Sequence, residues 1–232
     1  MDGDNDFAGA AEHFQRALAL DPTNLDVLHG SASLLDNLGR LDEALALDEA
    51  VVRRDPVNVS ALFNLGYYQR MAGRFDAAIA SYRTVLSLSP GQGGAHAELG
   101  NALLLKGDAQ GALSEIEQET SELWKMVGLP MAYHALGRKA DSDAALAALI
   151  AKYEKDASSN IASVYAFRGE ANKAFAWLDK AVEYGDTGLG EIVTENLFDN
   201  IHKDPRWLLF LRKLGKAPEQ LAKIEFKVTL PQ

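Results

Sequence analysis

The chain has 232 residues, 47% hydrophobic and 24% charged, which is too apolar for a disordered segment and ample for a buried core. Its net charge of −10 argues against tracking the phosphates of a nucleic acid, and the lack of cysteine removes disulfides, zinc–thiolate centres and thiol chemistry. No stretch approaches roughly 18 uninterrupted apolar residues, so no membrane-crossing helix is expected, and the acidic opening MDGDNDF lacks the apolar core of a signal peptide.

In chain order, NDFAGAAEHFQRALALDP (5–22) reads as one amphipathic helix. LDVLHGSASLLDNLG and LDEALALDEAVV follow as a helix pair, with Gly39 at the turn and Asp55-Pro56 as the stop. SALFNLGYYQRMAG and RFDAAIASYRTVLSL make the next pair, stopped at Ser89-Pro90. Pro22, Pro56 and Pro90 stand 34 residues apart, and so do Gly39, Gly73 and Gly107, and Ala10, Ala44, Ala78 and Ala112. A fixed period of this size means stacked helical repeats, because one hairpin cannot bury its own apolar face. Gly66, Ala78, Gly100 and Ala112 are expected where paired helices approach closely. After Ile116 the step between turn glycines falls to 30 at Gly137 and 32 at Gly169, so a shortened helix is expected near Glu117–Thr120.

The last part has no period. FDNIHKDPRWLLFLRKLGK predicts a helix after Asp204-Pro205, with Trp207, Leu208, Leu211 and Leu214 on its apolar face. Ile224, Phe226, Val228 and Leu230 alternate, as in a half-buried strand, which needs a partner in this chain or another. Charge divides the two ends. Residues 1–58 hold 12 acids against 4 bases, and residues 201–232 hold 3 acids against 7 bases. Solvated faces are one reading of that split, and head-to-tail attraction between copies is the other.

Catalytic signals are missing. His13, His29, His96, His134 and His202 have no second ligand at metal spacing, and HExxH, GxSxG and P-loop motifs do not occur. No metal, no cofactor and no enzymatic activity are expected. GQGG (91–94) reads as a turn, Glu115, Glu117 and Glu119 as a solvated face, and Trp124, Trp177 and Trp207 as core.

The stretches NLGYYQRMAGRFDAAIASYRTVLSLSP (64–90) and ELGNALLLKGDAQGALSEI (98–116) resemble the tetratricopeptide repeat family, and AYHALGRKADSDAALAALIAKY (132–153) and SVYAFRGEANKAFAWLDKAVEYG (163–185) resemble it more loosely. Departures include Ser31-Ala32 at the usual Leu-Gly site, Asp48 at a usually large site and Ser142 for alanine. The resemblance implies an all-α, right-handed superhelical solenoid of antiparallel helix pairs, closed by a short C-terminal helix and a single extended segment. Its expected division is a half repeat over 5–24, repeats over about 25–58, 59–92, 93–121, 122–154 and 155–185, and a capping segment over 186–232.

The resemblance also implies a concave groove that binds a protein or peptide partner. Its expected lining is His29, Asp36, Phe63, Asn64, Tyr67, Arg70, Glu98, Asn101, Met126 and His134. Capture of a chaperone tail by a carboxylate clamp is not expected, since only Asn64 survives of that clamp and Glu98 would repel a carboxylate. Because the first motif matches only the second helix of a pair, Phe7, Ala10 and Phe14 are expected on an uncovered flank, as in a fragment of a longer protein or a docking surface. The tail resembles the end of the repeat region in bacterial multi-domain regulators of the winged-helix or adenylate-cyclase type. The leading expectation is thus a non-catalytic interaction scaffold, the C-terminal module of a bacterial signalling or transcription regulator. The alternative is a self-assembly module that forms a homo-oligomer through the N-terminal flank or the C-terminal strand. Neither nucleic acid nor membrane is an expected partner, and a cytoplasmic location is expected, with a periplasmic one as the alternative if the chain is part of a membrane-anchored regulator.

Overall fold

Asn24 and Asn58 sit at the same point of successive repeats and do the same work. Each follows an Asp-Pro turn, and each side-chain oxygen accepts backbone N–H groups at the start of a helix. Asn24 Oδ1 takes those of Asp26 and Val27 at 3.1 Å, and Asn58 Oδ1 takes that of Ala61 at 3.0 Å. The glycines Gly39, Gly73, Gly107, Gly137 and Gly169 close the first helix of five pairs with positive φ, a conformation that other residues rarely adopt.

These signals produce an all-α fold in a computed structural model that describes residues 6–229. A lone helix α1 (Phe7–Leu20) precedes five antiparallel pairs. The pairs are α2 (Leu25–Asn37) with α3 (Leu41–Arg54), α4 (Val59–Met71) with α5 (Phe75–Leu88), α6 (Ala95–Lys106) with α7 (Ala109–Gln118), α8 (Glu122–Ala135) with α9 (Lys139–Tyr153), and α10 (Ser158–Phe167) with α11 (Ala171–Tyr184). Two 3-10 turns, Thr187–Leu189 and Asn196–Ile201, lead to α12 (Pro205–Lys213) and α13 (Pro218–Leu221).

The third link breaks the pattern and repairs it. Position 92 is glutamine where 24 and 58 are asparagine, and α6 starts from Gly94 without a side-chain cap of its own. The cap comes from Glu119, just beyond the end of α7. Its carboxylate accepts the N–H groups of Gly94 and Ala97 at 3.1 Å each, and that of Ser121 at 2.8 Å. Glu119 is therefore buried rather than part of a solvated face. α7 is four residues shorter than α5, which is where the expected shortening falls and what brings Glu119 into reach. Close packing also occurs where small residues were expected. A Cβ on Gly100 would lie 2.6 Å from Ile116 Cγ1 and 3.3 Å from the Ala112 carbonyl, so only glycine fits there.

The tail departs from expectation in two ways. On α12 the buried face is Trp207, Phe210 and Leu211, while Leu208 is 39% exposed, because the helix rotates to stack Trp207 against Phe198 and His202. No strand forms among the described residues, and Leu230 lies outside them. The alternation is still used: Ile224, Phe226 and Val228 turn inward and their neighbours outward. The backbone finds side-chain partners instead of a strand. Lys227 exchanges two hydrogen bonds with the Gln15 side-chain amide, at 3.1 and 3.3 Å, and Arg40 Nη1 donates to the Phe226 carbonyl at 2.6 Å.

Those contacts carry the C-terminal end onto the N-terminal end. Leu221 and Phe226 belong to the same apolar cluster as Ala11, Leu18 and Leu28, with Phe7, Ala10 and Phe14 packed against it. Phe7, Ala10 and Phe14 are half-buried, so the expectation of an uncovered flank is corrected. The basic tail thus lies on the acidic end of its own chain.

Candidate functional site

One helix of each pair (α2, α4, α6, α8 and α10) faces an inner channel, and the segment 186–201 runs inside it. Arg70 on α4 anchors that segment. Its guanidinium is fully buried and pairs with Glu98 through Nε at 3.0 Å and with Glu195 at 2.9 and 3.1 Å. Nη1 also donates to Asn196 Oδ1 at 2.7 Å, and the Asn196 amide returns a 2.7 Å bond to the Arg70 carbonyl. A planar fork of donors suits this arrangement, because it can serve two carboxylates and an amide at once. Further along the segment, Thr194 Oγ1 donates to Asp36 Oδ1 at 2.8 Å. Lys216, almost fully buried, donates to the Gly190 carbonyl and stands 4.5 Å over the Phe7 ring.

The buried charges disturb one another. Burial alone would pull the Arg70 guanidinium down, but Glu195 and Glu98 hold it above its ordinary value. Burial raises Glu98 against the pull of Arg70, and it raises Glu191 as well. Lys216 is pulled down to about 8 by burial, with Asp36 and Glu191 opposing. Asp36 is pushed up to about 7 by burial; the Thr194 bond and Lys216 oppose this, and Glu191 and Glu195 add to it.

A carboxyl raised in the folded state favours folding while it holds its proton. Stability from Asp36 is therefore present at low pH and lost as pH rises from its ordinary value of 3.8 towards about 7. The shift corresponds to a cost on the order of 4 kcal/mol once the group is ionised. Asp36→Asn keeps an acceptor for Thr194 and cannot ionise. It is expected to melt several degrees above the parent chain at about pH 8, with the gain shrinking towards zero near pH 4. Thermal melts at the two pH values check this; an equal gain at both would contradict it.

Beside the segment, two cavities remain. The smaller, about 340 Å³, is lined by Ser33, Asp36, Phe63, Asn64, Tyr67, Glu98, Trp124 and Glu191 among others. The larger, about 460 Å³, reaches from Tyr67, Glu98 and Asn101 across Trp124 to Asp156, Ser159 and Asn160. Tyr67, Glu98, Trp124 and Glu191 border both.

The expected groove residues fall into three groups. Phe63, Asn64, Tyr67 and Glu98 line cavities, and Phe63 meets Tyr82 edge-on at 5.6 Å. Asp36 and Asn101 are buried side chains that also border the cavities, and Arg70, which borders neither, is buried against the chain's own segment. His29, Met126 and His134 line neither cavity. His29 Nδ1 bonds the buried Asp48 at 2.9 Å, which explains an aspartate at a usually large site. Met126 packs on the core, and His134 is exposed beside Phe167.

Sequence reasoning missed Glu191, Thr194, Glu195, Asn196 and Lys216, which belong to no repeat. It also misplaced Trp124, whose stripe on α8 pointed to the core. The ring is 38% exposed and lies against Gly94. The shortened repeat is the signal that could have found it, because losing residues after α7 turns α8 relative to the earlier first helices.

Comparison with known proteins agrees with this geometry. Two tetratricopeptide repeat models match, one over residues 3–58 and 29–93 and the other over 69–118, which together span the first half of the chain. The tetratricopeptide repeat and J domain-containing co-chaperone DNJ1 of Fusarium oxysporum f. sp. lycopersici is 35% identical over 77 residues, 33% of this chain and 15% of that protein. The chain thus spans under one-sixth of that relative. A tetratricopeptide repeat protein of Thermus thermophilus superposes with a TM-score of 0.58 at 22% identity, over 77% of this chain and 99% of that one. YrrB, described as a tetratricopeptide repeat protein with an unusual peptide-binding site, superposes with a TM-score of 0.50 at 21% identity, over 78% and 96%. The repeated caps and turns, the antiparallel pairs and these matches lead to one conclusion: the chain belongs to the tetratricopeptide repeat family.

Proposed function

We propose that the chain is a non-catalytic interaction scaffold that holds an extended peptide or a helix in what its own segment leaves of the inner channel. One observation carries the reading: the two cavities bring Phe63, Tyr67 and Trp124 together with the amides of Asn64, Asn101 and Asn160. Flat apolar area beside groups that can bond a peptide backbone is the chemistry of peptide grooves. The chain's likeness to a co-chaperone and to a tetratricopeptide repeat protein with a peptide-binding site supports it at the same general level.

The test is a panel of immobilised 12-residue peptides probed with the full chain and with a Phe63→Ala/Asn64→Ala variant. Binding peptides are expected to lose about tenfold in affinity with the variant, whose two positions are only half-buried and should not unfold the chain. Unchanged affinity across the panel would remove the groove from the reading.

A regulatory setting extends this proposal. It is supported only by the likeness of residues 186–232 to the end of bacterial multi-domain regulators. Self-assembly through the flank or the C-terminal strand has less support. The two surfaces it would use, around Phe7 and Phe14 and along Ile224–Val228, cover each other within one chain.

A further inference from the structure

We propose that the larger cavity accepts the guanidinium of an arginine side chain carried by a partner peptide. The proposal rests on the peptide-binding reading above and gives it a specificity.

The charge of the lining is one-sided. The charged residues bordering either cavity are all carboxylates, and in the larger one these are Glu98, Asp156, Asp186, Glu191 and Glu195. The nearest cations offset only part of it: Arg70 pairs with Glu98 and Glu195, Lys216 donates to the Gly190 carbonyl, and neither borders a cavity, which leaves Asp156, Asp186 and Glu191 as the lining carboxylates that Arg70 does not pair. An anionic or acidic ligand would meet repulsion here, and a neutral one would leave the field unused.

Two further groups wait for a hydrogen-bond partner. Asn101 is 6% exposed and its side-chain oxygen has no donor, because its amide nitrogen faces Glu98 at 3.5 Å. Ser159 is 5% exposed and its hydroxyl is also unpartnered. Buried polar atoms are normally satisfied, so an acceptor left open on a cavity wall marks where a donor belongs. Trp124 adds a partly exposed indole face, the best of the aromatic surfaces for a cation.

The shape of the donor set favours guanidinium over ammonium. Its acceptors are spread around a space of about 460 Å³ next to flat rings. A planar cation with five donors can lie on an indole and reach several acceptors, and it sheds water more readily than an ammonium. Among the described residues no group of three side chains is placed to hold a metal ion. Burial holds the Glu191 carboxyl above its ordinary value, and a cation beside it would offset that cost.

The experiment titrates the full chain with a blocked glycine–serine hexapeptide carrying one central arginine. A second arm carries citrulline, which has the same shape without the charge, and a third uses ethylguanidinium alone. Trp124 fluorescence reports occupancy, because Trp177 and Trp207 are buried. The arginine peptide is expected to bind about tenfold more tightly than the citrulline peptide. Asp156→Asn, an exposed position that should not disturb the fold, is expected to narrow that gap. Ethylguanidinium should compete, but more weakly than the peptide. Equal affinity for the arginine and citrulline peptides would overturn the inference and leave the peptide reading standing. Ethylguanidinium binding as tightly as the peptide would overturn the peptide as the source of the cation. No binding by either hexapeptide, or by any member of the 12-residue panel, would overturn both readings.

Discussion

Arg70→Ala is expected to lower the melting temperature by about 10 °C and to release residues 190–201 from the channel. The substitution leaves Glu98 and Glu195 facing each other without their cation, and it removes the donor to Asn196. Breaking a buried pair by deleting one partner costs about 3–5 kcal/mol. In a chain of this length each kcal/mol is worth about 2–4 °C. Hydrogen exchange should locate the effect, with protection lost in 190–201 before it is lost in α5 or α7. Arg70→Lys is expected to rescue little, because one ammonium cannot hold Glu98, Glu195 and Asn196 at once. Adding Glu98→Gln and Glu195→Gln to Arg70→Ala should recover part of the loss. A variant that kept both its melting point and the protection of 190–201 would show that the anchor lies elsewhere.

Phe226→Ala is expected to cost nearly as much, by a different route. The ring is 2% exposed in an extended segment that brings little backbone pairing of its own. Emptying a buried phenylalanine site costs about 3–5 kcal/mol, and the loss falls on the closure between chain ends. Once the tail lifts, Phe7 and Phe14 lose their cover. The variant should therefore melt lower, bind a hydrophobic dye and begin to associate as concentration rises. Sedimentation at two concentrations checks the last point. A variant that stays monomeric and dye-free while melting lower would mean that α1 holds its flank without the tail.

The helical array could be read from the sequence because its signals are local. Pro22 and Pro56 mark links, Asn24 and Asn58 cap, and Gly39, Gly73 and Gly107 take the positive φ that ends a helix; each acts within a few residues. The inner faces were readable for the same reason, and Phe63, Asn64, Tyr67 and Glu98 lie where the repeat register puts them. The occupant of the channel could not be read that way. Glu195 and Asn196 lie more than 120 residues from Arg70, and nothing in EIVTENLFDN recurs at the repeat spacing. The opposed charges of the two ends were visible, but charge alone cannot tell attraction within one chain from attraction between two. His29 shows the same limit on a smaller scale. Its position pointed to the groove, and the unusual Asp48 on the adjoining helix draws it aside.

The long reach from Arg70 to Glu195 has a consequence for how the protein is made. Chains leave the ribosome from the N-terminal end at about 5–20 residues per second. The anchor spans 125 positions, so α4 and its arginine emerge roughly 6 to 25 seconds before the carboxylate that neutralises them on the far side. Gln15 waits longer, since its partner Lys227 lies 212 positions on. During that interval the first repeats can stack, yet they hold an open, charged trough and a bare aromatic edge. The nascent chain is therefore most exposed to capture by other molecules while it is still being synthesised, until the segment from Glu195 to Lys227 has emerged and docked.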